Sequence, residues 1–272
     1  YGYEIQGGLS QYNVIDQRIL NGDDGNYLIP IRPETGYAES ALVEPWACVI
    51  AAYYLTYRQS LKAGGTAWFV GPEVDDFTLS AGINAESHPA KIRLTAMDGP
   101  LGDWLRNQAA ALGITVEEVD QVVPTGGEVP VDAQVDDIIL LNPTPALIEE
   151  ISPYLAYHGV LVFSSYHAFE RKVQIDVGRI HYNRWLFLGG SKTDITSLYL
   201  QAPARSDLTA GGKAMFVGAG GPMGRMHVQH AIESKQPPAV IVCSDVSEVR
   251  LKDIDATRSE EHTSELQSLL II

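Results

Sequence analysis

A glycine-rich segment is the clearest candidate for chemistry in this sequence. It reads Gly218-Ala-Gly-Gly-Pro-Met-Gly224, directly after a short apolar run and directly before a helical pattern. Glycines at such a place allow a tight turn and let a pyrophosphate approach the backbone N–H groups of a helix N-terminus. The spacing G-x-G-x-x-x-G is one residue longer than the usual dinucleotide pattern, so a purely structural turn is the alternative. The predicted cofactor-binding residues of this segment are Gly218, Gly220, Gly221, Pro222, Met223 and Gly224.

An acidic residue further along the chain strengthens the dinucleotide interpretation. The next predicted strand leads to Asp245, which follows Gly224 by 21 residues. A carboxylate there can accept hydrogen bonds from the ribose hydroxyls of adenosine and repels a 2′-phosphate. The order strand, glycine turn, helix, strand and acid therefore predicts a site that prefers NAD to NADP, with Asp245 as the ribose ligand.

A second candidate is a carboxylate within an apolar stretch. Residues 37–57 are helical in pattern and contain Glu44 between Val43 and Pro45. An unpaired charge in apolar surroundings is costly, so we expect a cation near Glu44. The alternative is an ordinary helix N-terminal carboxylate followed by a favoured first-turn proline. Cys48 lies one helical turn further, and we expect it to be a small buried side chain rather than a metal ligand.

An internal repeat indicates which elements carry these residues. Residues 61–71 read LKAGGTAWFVG and residues 208–218 read LTAGGKAMFVG, so eight of eleven positions are identical at an offset of 147 residues. In each copy a Gly-Gly turn precedes an apolar run that ends in glycine, which is typical of a buried parallel strand entering a tight turn. Each copy is predicted to begin a doubly wound α/β domain.

Between and after the two copies, apolar runs alternate with helical patterns, which indicates parallel sheets covered on both faces. The predicted fold class is therefore α/β, with tandem Rossmann-like doubly wound parallel sheets of which the second is incomplete. Further predicted strands span residues 91–97, 137–141, 159–164, 184–188 and 239–243, and predicted helices span residues 101–112, 145–157 and 222–233.

The first copy departs from the glycine pattern, because Gly71 is followed by Pro-Glu-Val-Asp-Asp. The carboxylates of Glu73, Asp75 and Asp76 would repel a pyrophosphate, and we expect them in the first turn of a helix, where they stabilise its dipole. Asp98, at the end of the next strand, is expected to be a turn residue rather than a ribose ligand. We expect the first copy to bind no dinucleotide.

Composition limits the classes of partner. Nineteen Lys and Arg residues against 34 Asp and Glu residues give a net charge of −15, which disfavours binding to nucleic acids and to anionic membrane surfaces. No apolar run approaches the ~18 residues of a membrane span. The two cysteines, Cys48 and Cys243, form no disulfide framework and favour a reduced, cytoplasmic protein. We expect no nucleic-acid or membrane partner, whereas a homo-oligomer is left open.

Residues 7–71 carry a family resemblance. The segments GGLSQYNVIDQRIL, YLIPI, ALVEPWACVIAAY and LKAGGTAWFVG resemble the junction of the catalytic and cofactor domains in medium-chain zinc-dependent dehydrogenases, nearest to the sorbitol and threonine dehydrogenases. The later segment GGPMGRMHV is similar to a subgroup around sorbose 1-phosphate reductases. The family carries one cofactor domain, whereas this chain begins two α/β units.

The resemblance implies a fragment of an NAD-linked, zinc-dependent dehydrogenase acting on a secondary alcohol of a small polyol or sugar phosphate. By the same resemblance Glu44 binds zinc directly or through water, while a preceding domain supplies Cys and His-Glu ligands that this chain lacks. We therefore expect the chain as given to lack dehydrogenase activity, and the resemblance assigns no catalytic residue within it. The alternatives are a non-enzymatic dinucleotide-binding redox sensor and, ranked last, a methyltransferase-like use of the first copy.

A second segment that resembles this family lies between the two copies of the repeat. Residues 179–199, RIHYNRWLFLGGSKTDITSLY, resemble the strand and loop that close the cofactor domain in the same family. His181 in this segment is expected to be structural, at a strand edge. The other histidines form no HxxxH ligand spacing.

The domain boundaries follow from the repeat and from the C-terminal residues. Residues 258–268, RSEEHTSELQS, resemble an in-frame translation of a sequencing-library adapter, so we expect the native sequence to stop near Thr257. The predicted domains are the end of a catalytic, GroES-like domain with a bridging helix at 1–60, a degenerate Rossmann-like domain at 61–207, and the start of an NAD-binding Rossmann domain at 208–257. Residues 258–272 are predicted to be non-native.

Overall fold

The chain divides into two compact units in its computed structural model. One unit is Tyr53–Asp207, and the other combines Tyr1–Ala52 with Leu208–Ile272. The residues that the structure describes are 2, 4–5, 7–22, 25–74, 76–123, 129–202, 204–261 and 268–271. Asp75, which we expected in the first turn of a helix, lies outside them.

Two helices precede the first repeat. Helix α1, Gln17–Leu20, begins at Asp16, whose side chain accepts a hydrogen bond from the backbone N–H of Arg18. Helix α2, Tyr37–Ala52, contains Pro45 and buries Val49. The helical pattern predicted to reach residue 57 therefore ends earlier, at Ala52.

The Tyr53–Asp207 unit is built on a six-stranded parallel sheet. The strand order is β3-β2-β1-β4-β5-β6, which is a doubly wound arrangement with its switch point between β1 and β4. This confirms the predicted α/β class for the first copy. The strands are β1 (Thr66–Val70), β2 (Lys91–Thr95), β3 (Thr115–Glu118), β4 (Val135–Leu141), β5 (Leu155–Ser164) and β6 (Leu186–Gly190).

Apolar side chains cover both faces of this sheet. On β1, Phe69 packs in one core with Leu105, whereas Trp68 packs in the other core with Ile148. This alternation follows from the two-residue period of a strand, and a sheet buried on both faces explains the continuous apolar run of the sequence. The helices of the unit are α3 (Pro100–Leu112), α4 (Pro145–Ile151), α5 (Val177–Tyr182) and α6 (Ile195–Tyr199).

The second repeat begins a small parallel sheet in the other unit. Its strand order is β7-β8-β9, and its core contains Val228, Ile241 and Leu251. The second sheet is thus parallel, as predicted. Its elements are β7 (Lys213–Val217), α7 (Pro222–Glu233), β8 (Val240–Ser244), α8 (Glu248–Glu261) and β9 (Ser268–Ile271).

The two copies have the same backbone hydrogen bonds at corresponding positions. Gly64 and Gly211 both have a positive φ, of 69° and 66°, which favours glycine. The N–H of Gly71 donates to the Thr95 carbonyl at 2.9 Å, and the N–H of Gly218 donates to the Ser244 carbonyl at 2.8 Å. The repeat in sequence is therefore also a repeat in structure.

Two predicted helical segments differ from the structure. No helix follows β1 among the described residues, so Glu73 and Asp76 are not first-turn residues as predicted. Helix α4 ends at Ile151 rather than near residue 157, because a short turn containing Pro153 follows it and β5 begins at Leu155. Proline cannot supply the N–H that a continuing helix needs.

Within the described ranges, no helix is both long enough and apolar enough to cross a bilayer.

Candidate dinucleotide-binding turn

The turn between β7 and α7 has the geometry that a glycine-rich ligand loop requires. Gly218 has a φ of 75°, a left-handed conformation that favours glycine. The N–H groups of Gly218 and Ala219 both donate to the Ser244 carbonyl at the end of β8. Gly221 is the residue that caps the N-terminus of α7, and Pro222 occupies the first helical position. The turn is therefore fixed against β8 and leads directly into the helix.

Two of the glycines are required by close packing within the protein. A Cβ on Gly224 would overlap the Gly218 carbonyl oxygen, so only glycine lets α7 lie this close to the end of β7. A Cβ on Gly220 would lie 2.5 Å from Cβ of Arg250 and 2.9 Å from Oδ2 of Asp245. These positions would need glycine even in a turn that binds nothing, which is the structural alternative considered above.

Gly221 differs from its neighbours because its side-chain position is open. A Cβ there would meet no atom closer than the Gly218 carbonyl oxygen at 3.5 Å, an ordinary contact distance. The first N–H groups of a helix have no intrahelical acceptor, and α7 begins with Pro222, which has no N–H. The N–H groups of Met223 and Gly224 therefore occupy the positions at which helix N-termini bind phosphate. The backbone of this turn fits a pyrophosphate.

Asp245 lies beside the glycine turn, directly after β8. Its Oδ2 accepts a hydrogen bond from the N–H of Gly220 at 2.9 Å, and its Oδ1 accepts one from the N–H of Ser247 at 2.9 Å. A carboxylate oxygen can accept a second hydrogen bond, so both oxygens retain capacity for a hydroxyl donor. The structure thus brings together the glycines and the acid that were predicted from separate segments.

The start of α8 contributes residues that the sequence analysis did not single out. Ser247 holds the Asp245 carboxylate through its N–H, and the N–H of Arg250 donates to Oγ of Ser247 at 3.4 Å. Arg225 of α7 pairs with Asp253 of α8. The signal that could have revealed them is the run Asp-Val-Ser-Glu-Val-Arg at 245–250, in which Ser247 follows the acid as a helix-starting residue.

In the first copy a carboxylate bonds the N-terminus of α3, which follows the second strand of its copy, whereas α7 follows the first strand of its own. Glu73 accepts a hydrogen bond from the N–H of Leu101 and another from the N–H of Gly102 at 3.0 Å, both in the first turn of α3. The acid therefore stabilises a helix dipole as predicted, but the helix is α3 and not one that follows β1. The sequence offered a signal for this, because Gly99-Pro-Leu-Gly102 matches Gly221-Pro-Met-Gly224. Asp98 is exposed in the turn before α3.

The predicted metal ligand Glu44 lies on α2, where its side chain is exposed. Its Oε1 accepts a hydrogen bond from Sγ of Cys48 at 3.2 Å, and this hydrogen bond raises the pKa of the thiol. Leu42 and Val43 are 45% and 48% exposed, so the apolar surroundings expected for Glu44 are absent within the described residues. The expectation that Cys48 is buried was wrong, because its thiol is exposed next to the carboxylate.

An oxygen donor and a sulfur donor one helical turn apart fit two positions of a zinc site. Among the residues that the structure describes, no group of three or more His, Cys, Asp and Glu side chains is placed to hold a metal ion. His181 lies in α5 rather than at the edge of a strand as expected, and its ring packs edge-on against Tyr182. Glu44 therefore remains a predicted ligand with one neighbouring donor.

No protein-family model matches this sequence. The chain is 27% identical to the uncharacterized protein YggP of Escherichia coli (strain K12), over 71% of this chain and 50% of that protein. The chain thus spans about half the length of this curated relative.

Among solved structures, this chain is similar to several dehydrogenases, at low sequence identity and low TM-score. The 2R,3R-butanediol dehydrogenase of Bacillus subtilis matches at 16% identity and a TM-score of 0.29, over 76% of this chain and 58% of that chain. The zinc dependent alcohol dehydrogenase 2 from Streptococcus pneumonia matches at 15% identity and a TM-score of 0.32, over 85% and 59%. The L-idonate 5-dehydrogenase of Escherichia coli matches at 11% identity and a TM-score of 0.29, over 77% and 57%.

Proposed function

We propose that the turn between β7 and α7 binds a dinucleotide, NAD in preference to NADP, as part of a zinc-dependent dehydrogenase that acts on a secondary alcohol. The observation that supports this proposal is the joint geometry of the open N-terminus of α7 and the Asp245 carboxylate beside it. A ligand with a pyrophosphate and an adenosine ribose has the groups that match both features. The substrate class, a polyol or sugar phosphate, comes from the sequence resemblance.

Different residues of this chain bind different parts of the dinucleotide in this proposal. Met223 and Gly224 offer backbone N–H groups to the pyrophosphate, and Gly221 leaves room for its approach. Asp245 accepts hydrogen bonds from the ribose hydroxyls, while its negative charge disfavours a 2′-phosphate. Bound NAD supplies a nicotinamide that accepts hydride from the alcohol carbon. Glu44 is the proposed protein oxygen donor for zinc.

Gly221→Ala tests the proposed site without disturbing the fold. The added methyl group meets only ordinary contacts within the protein, but it fills the space in front of the helix N-terminus. We expect NAD affinity, measured by calorimetry on the full chain, to fall about tenfold or more, since loss of one or two charge-assisted hydrogen bonds has that effect. The thermal unfolding midpoint should change little.

Gly36→Ala is the matched control, because Gly36 also stands at a helix start and a Cβ there meets only the flexible Glu39 side chain at 3.5 Å. Its NAD affinity should equal that of the unchanged protein. Equal affinities in all three proteins, or no NAD binding by the unchanged chain, would contradict the proposed site. NAD binding by a full-length relative that oxidises no alcohol would favour the redox-sensing alternative.

A further inference from the structure

A groove with a basic end and an apolar end lies in the Tyr53–Asp207 unit, at the edge where its strands begin. Two adjoining cavities of about 370 Å³ and 470 Å³ form it, and they share Thr56, Tyr57, His158, Arg184 and Leu186 in their walls. Both volumes fall within the range of small-molecule sites. Ligands of doubly wound sheets usually bind at the opposite edge, where the strands end, so this groove is a separate candidate.

Three cations from two chain segments meet at the basic end. Arg58 and Lys62 precede β1, and Arg184 precedes β6. Arg58 pairs with Asp137 at 2.9 Å, and Lys62 pairs with Asp136. Arg184 has no ion pair with any residue in the described part of the chain. Its half-buried guanidinium is therefore the cation with capacity for an added anion.

The positive charges at this end also affect the pKa of His158. Burial lowers the pKa of His158, and the positive charges of Arg184, Arg58 and Lys62 lower it further. The three cations exceed the two carboxylates that pair with them by one positive charge, in a protein whose net charge is −15.

An unsatisfied donor also lies at this end. Nε of Arg58 is buried and has no hydrogen-bond acceptor among the described residues, although its two terminal nitrogens are bonded to Asp136, Asp137 and His158. Buried polar groups of proteins nearly always have a partner. Because this Nε is closed to solvent, a ligand in the groove would not contact it directly, and Arg184 is the residue that would contact an added anion.

Two residues in the groove wall adopt a backbone conformation that is unfavourable for them. His158 and Arg184 have φ values of 60° and 56°, in the left-handed region. The N–H of His158 donates to the carbonyl of Asn183 at 2.8 Å, which joins the two turns. Such conformations cost free energy and concentrate at sites where a side chain must be held in place.

The adjoining end of the groove is apolar. Trp185, Ile180 and Leu55 contribute to its wall. Nε1 of Trp185 donates to the carbonyl of Ala156 at 3.1 Å, so the indole is fixed by β5. A ligand that spans the groove would place an anionic group against Arg184 and an apolar group against these side chains.

We propose that this groove binds a small phosphate monoester with an apolar or aromatic body. A phosphate monoester carries close to two negative charges at neutral pH and several acceptor oxygens. It can therefore bond Arg184 and also Lys62, whose ammonium has three donors and keeps some beyond its pair with Asp136, whereas a single carboxylate has fewer acceptor oxygens and less charge. The proposal is independent of the dinucleotide site, because it rests on residues of the other compact unit.

Phenyl phosphate is a suitable probe, with inorganic phosphate, benzoate and benzyl alcohol as partial ligands. Calorimetry on the full chain at low ionic strength should give the tightest binding for phenyl phosphate, weaker binding for phosphate and benzoate, and none for benzyl alcohol. Tighter binding of benzoate than of phenyl phosphate would overturn the choice of a phosphate ester. Equal binding of phenyl phosphate and benzyl alcohol would overturn the anion site itself.

Arg184→Gln keeps a non-glycine residue at the strained position and removes the charge. It should weaken phenyl phosphate binding about tenfold or more. Lys62→Gln, at an exposed position, provides a second test and should weaken binding in the same direction. The control is Arg171→Gln, which removes the same charge from a surface pair with Glu149 outside the groove. Equal affinities of the Arg184 and Arg171 variants would refute the site.

Discussion

At the residue scale, the charge of Asp245 governs the expected preference between the two dinucleotides. Its two oxygens accept hydrogen bonds from the N–H groups of Gly220 and Ser247, so its position is set by the protein. Asp245→Asn keeps one acceptor oxygen and a similar shape but removes the charge that repels a 2′-phosphate. We expect the ratio of NAD to NADP affinity to fall about tenfold, because both the ribose hydrogen bonds and the repulsion are lost.

Competition binding of NAD and NADP by the full chain measures this ratio directly. Glu233→Gln is a suitable control, since it removes an exposed acid from the last turn of α7, at the opposite end of that helix from the glycine turn. An unchanged ratio in the Asp245 variant would mean that this carboxylate does not contact the ribose.

At the element scale, Glu73 stabilises the start of α3, the helix that follows β2. Its carboxylate accepts hydrogen bonds from two N–H groups in the first turn of α3. Glu73→Gln should lower the free energy of unfolding by about 1 kcal/mol, because a neutral amide interacts less favourably with the helix dipole. Urea unfolding followed by circular dichroism gives this value.

Glu86→Gln makes the same charge change in the same connection between β1 and β2, but Glu86 is exposed and its side chain caps no helix. Its stability should stay within a few tenths of a kcal/mol of the unchanged protein. If the two variants lose equal stability, the contact between Glu73 and α3 contributes nothing specific.

The elements that could be predicted from the sequence are those whose signals are local. The strands β1 and β7 follow from a Gly-Gly turn and an apolar run, and α7 follows from its glycine turn and Pro222. The missing helix after β1 could not be predicted, because Glu73 reaches a helix start 28 residues away in sequence. The exposure of Cys48 was likewise misjudged, since an apolar helical pattern does not show which face is covered.

Local sequence signals also explain which of the two candidate sites could be predicted. The glycine turn and Asp245 lie within one strand-helix-strand unit, whose geometry is recognisable from spacing alone. The groove around Arg184 joins residues from before β1, from β5 and from before β6. No local pattern indicates that these segments meet, so its basic character became visible only in the folded sheet.

At the scale of the whole molecule, the two proposed ligands should protect different parts of the chain. Both ligands are anionic, and the protein carries a net charge of −15, so general electrostatic attraction cannot account for either. Binding stabilises the backbone hydrogen bonds around each site against local opening. Hydrogen–deuterium exchange of the full chain can therefore locate both sites in one experiment.

With NAD, slowed exchange is expected at residues 218–226 and 244–250, in the unit that contains the glycine turn. With phenyl phosphate, slowed exchange is expected at residues 55–62, 157–161 and 183–187, in the Tyr53–Asp207 unit. Raising the salt concentration should weaken the second footprint, because Arg184 and Lys62 are partly exposed and their attraction is screened. Protection by phenyl phosphate at the glycine turn alone would show that the helix N-terminus binds any phosphate and that the groove binds none. Protection by NAD confined to the groove would instead contradict the dinucleotide site. Each proposal can therefore be contradicted while the other holds.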